Sequence, residues 1–206
     1  YLRKAQGFFK DEIPEKPFVY FPLHLQPEMT TDILGQEYSD QLLALETLRE
    51  IIPANILICV KENPKQTGRL RSNLFFQRLS KLPNTVFVSR DAPSLELSRR
   101  SLAVATITGT AGWEALRMGK PVINFGNAFW SRLPGTFAPD ENFDWHEISK
   151  FGYHPEALKN AVNALSKYAH PGMSDFLYSS EIKKFNASEN AILLAKVIQD
   201  RLIADD

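Results

Sequence analysis

Cysteine is nearly absent, with Cys59 the only one among 206 residues. A single thiol cannot close an internal disulfide, so a disulfide framework is excluded and a reducing compartment fits. Cys59 lies inside an apolar run, where a buried, inert thiol is expected rather than a nucleophile. Net charge is absent too, because 24 basic and 24 acidic side chains cancel. A sequence-independent grip on nucleic acid needs a basic excess, so no nucleic-acid partner is expected. No apolar run approaches the roughly 18 residues of a membrane-spanning helix. A secretory signal pattern is missing and the sequence opens on Tyr1, so it reads as a piece of a longer protein. Neither GxGxxG nor a P-loop ending in GKS or GKT occurs.

What is present is enough apolar sequence for one sizeable core. Residues 1–16 are polar and charged around Phe8 and Phe9 and read as an arm; 17–206 read as one domain. Short β-rich runs alternate with helical periodicity. Strands are predicted at 17–22, 55–61, 85–89, 102–107 and 121–125. Between them lie helices at 40–52, 72–81, 94–100 and after residue 109, the last ending at Gly119. Ser39 is the expected cap of the first, whose Leu42, Leu45, Leu48, Ile51 and Ile52 share a face. An aromatic, irregular stretch (Phe129, Trp130, Phe137, Phe143, Trp145) leads into helices at 155–168, 173–184 and 188–203, the last with Ile192, Ala195, Ile198 and Leu202 in register. The alternation predicts an α/β fold, a doubly wound parallel sheet of Rossmann type with extra C-terminal helices.

Ligands of such sheets bind outside the carboxyl ends of the strands. Polar clusters recur there: His24 to Glu28, Lys61 to Pro64, Asp91 to Ser94, Thr108 to Gly112, and Gly126-Asn127. The fourth hands a strand to a helix, whose free N–H groups suit a phosphate or carboxylate. Gly109 and Gly112 would let a ligand approach, and Thr108 and Thr110 offer hydroxyls beside Ala111. The same residues also make a tight packed turn without a ligand. Gly112 falls where the helix has begun, so alanine there is expected to spare the fold. Glu114, in the first turn or so, is either a dipole-stabilising charge or a partner for sugar hydroxyls.

His24-x-Gln26-Pro27-Glu28-x-Thr30, Lys61-Glu62-Asn63-Pro64, Thr106 to Ala115 and Gly119-Lys120-Pro121-Val122-Ile123-x-Phe125-Gly126 resemble the bacterial capsule polysaccharide biosynthesis family. The resemblance covers about residues 18–126. It implies the nucleotide-sugar-binding half of a two-domain GT-B glycosyltransferase of the Kdo-transferase kind. It further implies a CMP-activated donor, no cofactor and no metal. The partners it implies are a nucleotide sugar, a glycan or glycolipid acceptor, and an N-terminal acceptor half not contained in this chain. The implied location is cytoplasmic, at or near the inner face of the membrane, with peripheral association compatible. By the same resemblance Thr108 to Gly112 hold the donor phosphate, Glu114 reaches the ribose or sugar, and Lys61 offsets phosphate charge. The family commonly has Lys-Glu-His-Pro where this chain has Asn63. Asparagine donates a hydrogen bond but supplies no proton, which points to altered activity or a different donor.

Glu28 and His24 are the catalytic candidates. Glu28 reads as general base, nucleophile or sugar-hydroxyl ligand, or else as a loop carboxylate accepting from backbone N–H groups. Gln26 binds donor or caps the loop. Asn63, Pro64, Ser94 and Gly126 complete the binding set. His146, His154 and His170 are too dispersed for a zinc site. Trp113 is expected to pack behind the turn, and Lys65, Arg69 and Arg71 to form a solvated loop. Two other readings stand beside the transferase: a sugar-nucleotide epimerase-like enzyme, and a non-catalytic nucleotide- or glycan-binding module.

Overall fold

The run Phe18–Pro22 forms β1, whose first four side chains are buried, as a strand covered on both faces requires. The computed structural model describes residues 12–66, 71–174, 179 and 183–204. The remaining strands are β2 (Leu57–Lys61), β3 (Thr85–Val88), β4 (Ala103–Thr106), β5 (Val122–Asn124) and β6 (Thr136–Phe137). They form one sheet in the order β3-β2-β1-β4-β5-β6, and every pairing is parallel. This is the doubly wound arrangement, with its switch point between β1 and β4. The two-residue β6 lies in the aromatic stretch and has no legible strand pattern.

Helices α1 (Met29–Leu34), α2 (Gln41–Ile51), α3 (Asn73–Leu79), α4 (Ser94–Arg100) and α5 (Thr110–Arg117) lie in the connections between strands, and α6 (Trp145–Ser149), α7 (Pro155–Ser166) and α8 (Ala187–Ala204) follow β6. α1 and the 3-10 turn Gln36–Ser39 lie between β1 and the first expected helix, where no helix is expected. Asp40, not Ser39, caps α2, its carboxylate accepting from the Leu42 N–H at 3.0 Å. At the other end of α2 the Arg49 guanidinium donates to the carbonyls of Ile52, Pro53 and Ile56, which holds the chain leaving the helix against its last turn. Val19 and Phe21, with Ile58, Val60, Ala105 and Ile123, pack on Leu42, Leu45 and Leu48 of α2 in the main core. Cys59 is buried and free, and burial pushes its thiol up to about 12, so it is inert at neutral pH.

Compactness divides the chain at Leu158, giving units Tyr1–Leu158 and Lys159–Asp206. In the second, Asn190 pairs both ways with the Met173 backbone, at 2.7 and 3.0 Å. The stripe Ile192, Ala195, Ile198 and Leu202 on α8 is exposed, and Leu193, Leu194 and Val197 are the half-buried positions. The apolar period there marks a helix but not the face it covers. The helix expected at 173–184 lies mostly outside the described residues, as does the arm before residue 12.

Candidate functional site

Four local devices build the first four of the five polar clusters that follow strands. The first extends β1. Leu23 N–H still bonds the Lys61 carbonyl at 2.8 Å. Beyond it, two glutamines take the place of a neighbouring strand. Gln41 Oε1 accepts from His24 N–H at 2.7 Å and its Nε2 donates to His24 O at 3.1 Å. Gln66 does the same for Gln26, at 2.9 and 3.1 Å. The Gln26 side chain donates to Asp32 and Ser39 O and accepts from Gln41, so it ties down the loop. Glu28 follows as the exposed N-cap residue of α1, its own N–H meeting Asp32 Oδ2 at 3.1 Å.

The second device lies at the end of β2. Glu62 and Arg71 form a two-point buried pair at 2.8 Å, and Arg71 also donates to His24 O at 2.8 Å. The expectation that Arg71 belongs to a solvated loop is therefore corrected; Arg71 is 7% exposed and its guanidinium lies 4.7 Å from the Phe75 ring centroid. Lys65 is exposed, and Arg69 lies outside the described residues. Asn63 Oδ1 accepts from Lys65 N–H at 2.9 Å, and Pro64 is exposed.

The third device is under the β2 and β3 ends. Lys61 Nζ donates to Ser94 Oγ at 2.7 Å, and burial lowers the pKa of this ammonium, with nearby Asp91 opposing. Ser94 also bonds the buried Tyr20 phenol. Burial pushes that phenol above the tyrosine range, and the Glu114 charge adds to the shift. Ser94 thus links Lys61 to Tyr20, which periodicity alone reads as core.

The fourth device is the turn after β4. Gly109 precedes α5, and no side chain caps that helix. Gly112 N–H turns back to Gly109 O at 3.1 Å. The N–H groups of Thr110 and Ala111 point out of the helix end, as helix geometry requires. Thr110 is exposed and Ala111 half-buried. Thr108 Oγ1 is buried and, among the described residues, has no hydrogen-bond partner. The glycines serve the protein's own packing. A Cβ on Gly109 would lie 3.0 Å from Thr106 Oγ1 and 3.1 Å from His24 Cε1. One on Gly112 would overlap Trp130, 2.6 Å from Cζ2, so the expectation of a mild Gly112→Ala is overturned. One on Gly126 would lie 3.0 Å from the carbonyls of Ile107 and Leu34. Trp130, 1% exposed, does the packing expected of Trp113. Trp113 is only half-buried and pairs with exposed Phe129, ring centroids 5.7 Å apart.

His24 sits between the first and fourth devices. Its Nδ1 is 3.1 Å from Thr31 Oγ1, and its Nε2 is 2.9 Å from Thr106 Oγ1 and 3.2 Å from Ile107 N. Burial, with Arg71 adding, lowers its pKa to about 4, so the ring is neutral at pH 7. Sequence reasoning passed over Gln41, Gln66, Thr31 and Tyr20. Gln41 had a signal, a polar side chain in helical register with Leu45 and Leu48. His146, His154 and His170 are exposed. Among the described residues no group of three or more His, Cys, Asp or Glu side chains is placed to hold a metal ion, and no helix is long and apolar enough to cross a membrane.

The KpsC beta Kdo 2,7 transferase of Thermosulfurimonas dismutans superposes with a TM-score of 0.50 at 19% identity, over 72% of this chain and 48% of that one. The beta Kdo 2,4 transferase KpsC of the same organism gives 0.47 at 18% identity, over 75% and 53%. The glycosyltransferase SnogD of Streptomyces nogalater gives 0.41 at 12%, over 75% and 40%. The chain spans about half the length of the KpsC structures. At these identities the likeness concerns the fold. No curated protein matches the chain. The family model described as capsule polysaccharide biosynthesis protein matches residues 5–147, and on that match, over more than half its length, the chain belongs to the capsule polysaccharide biosynthesis family.

Proposed function

We propose that this chain is the donor-binding half of a glycosyltransferase of capsule or surface polysaccharide synthesis. Its donor is a CMP-activated sugar, Kdo in the closest reading. The acceptor, a glycan or glycolipid, is held by a half outside this chain. The observation that carries the proposal is the uncapped N-terminus of α5 at the β1–β4 switch point, beside the unpartnered Thr108 hydroxyl. Two outward N–H groups, the helix dipole and two threonine hydroxyls suit a phosphate. Glu114, exposed on the same helix, is placed for ribose or sugar hydroxyls. The Lys61 ammonium, at the end of β2, adds positive charge.

Chemically, the half-site stabilises charge on the leaving phosphate through fixed N–H and hydroxyl donors, without a proton from Asn63. Glu28 is the exposed carboxylate available to a sugar hydroxyl or to the reacting carbon. Asn63 also favours a second reading, a module that binds a nucleotide or glycan without turning it over. An isothermal calorimetry panel of CMP, UDP, GDP and their sugars tests which nucleotide binds. Binding of a cytidine nucleotide without added divalent metal supports the CMP donor. Binding of UDP or GDP alone refutes the CMP assignment, and strict Mg²⁺ dependence refutes a metal-free site. Hydrolysis of the bound sugar nucleotide, followed by product analysis, distinguishes an enzyme from a module and a transferase from an epimerase.

A further inference from the structure

We propose that His24 is a positioning residue rather than an acid or base. As a neutral imidazole with its hydrogen on Nδ1, it locks the Gly109 turn to helix α1 and holds Thr31 toward Glu28. The tautomer follows from the contacts. The Ile107 backbone N–H can only donate, and it points at Nε2 from 3.2 Å. Nε2 is therefore the acceptor, and the ring hydrogen sits on Nδ1, donated to Thr31 Oγ1 at 3.1 Å. The Thr106 hydroxyl, 2.9 Å away, donates to Nε2 as well.

The consequences run in two directions from one ring. Toward β4, the ring meets Thr106, Ile107 and the space a Gly109 side chain would fill, so it sets where the strand gives way to α5. Toward α1, Thr31 is fully buried, and its hydroxyl makes a long 3.5 Å contact with Glu28 Oε2. The parallel register of β1 on β4 pairs Val19 with Ala103 and Tyr20 with Val104. Past the last of these pairs, at the topological switch, His24 joins the two chains through Thr106 and Ile107. A ring that is 6% exposed, with both nitrogens engaged, has no lone pair or proton to offer a substrate. The functional part of the proposal, that the lock sets donor affinity, rests on the donor reading above.

The test combines NMR of the ¹⁵N-histidine-labelled chain with CMP titration. In the wild type at pH 7, His24 should show a protonated Nδ1 and a bare Nε2. A charged ring or the opposite tautomer overturns the proposal, and this measurement needs no variant. His24→Gln keeps a polar group near the Nε2 position, and His24→Leu fills the space without one. CMP affinity should fall about tenfold or more in His24→Leu and recover to within about threefold in His24→Gln. A folded His24→Leu that binds CMP like the wild type overturns the proposal. Should His24→Leu fail to fold, Thr31→Val decides in its place. It should shift the His24 ring nitrogens and the Gly109 and Thr110 amides, and silence at those positions overturns the lock. A wild-type chain that binds none of CMP, UDP and GDP overturns the donor reading and the affinity claim, while tautomer and amide shifts still decide the lock.

Discussion

A methyl group on Gly112 would enter the space of the buried Trp130 ring. Overpacking of this kind costs typically about 1–3 kcal/mol, so Gly112→Ala should lower the melting temperature measurably. A melting curve like the wild type's would show that the indole can move aside. Gly112 is therefore a poor probe of ligand binding, although its place in a Gly-rich turn suggests one. His24 carries the second prediction at this scale. Its folded pKa, about 4, lies below the ordinary 6.5. Burial is the main cause of the lowering, Arg71, paired with Glu62, adds to it, and the Glu28 carboxylate stands beyond Thr31. Between those values the unfolded chain takes a proton that the folded chain refuses. Stability from this group is complete above pH 6.5, declines as pH falls toward 4, and levels off below. The slope approaches about 1.4 kcal/mol per pH unit within that window. Denaturation midpoints in His24→Gln should lose this part of the acid sensitivity; an unchanged slope would remove His24 as its source.

At the scale of elements, the β2–α3 connection is tied to β1's extension by a buried ion pair and a glutamine clamp. Removing one partner of a buried pair leaves an uncompensated charge, at a cost of about 3–5 kcal/mol. Arg71→Met should therefore destabilise strongly, and Arg71→Met with Glu62→Leu should recover much of the loss in a chemical denaturation cycle. Additive losses would mean that the pair is not coupled. The N-terminus of α5 gives the matching prediction for ligand. Thr110 is exposed and caps nothing. Thr110→Val should leave stability unchanged and cost one charge-assisted hydrogen bond to nucleotide, about 1.5–3 kcal/mol by calorimetry. Equal affinity in the variant would reduce the turn to a connection. In the full-length protein, Glu28→Gln should keep donor binding and lose most turnover, a kcat effect; full turnover would make Glu28 a residue of the α1 cap alone.

For the whole molecule, a nucleotide that binds only the folded chain raises its stability by about 2.7 kcal/mol at a hundredfold excess over Kd. CMP should produce that shift in EDTA, and its loss on chelation would contradict a metal-free site. Much of this protein was legible in its residues. Apolar runs alternating with helical periodicity point to a parallel sheet, because a helix between two strands returns the chain to the same end of the sheet and covers its face. Polar clusters at strand ends follow, because that is where such chains leave the core. What the linear order could not carry was contact between distant residues. Arg71 lies nine residues from Glu62 in a polar stretch, and only the fold buries the two side chains as a pair. Thr106 lies 82 residues from His24, and only the sheet order places β4 beside β1. Local sequence sets backbone periodicity, because its causes act within a few residues. Which glycine faces an indole, and which histidine loses its proton, is decided by what packs against it, a property of the tertiary structure alone.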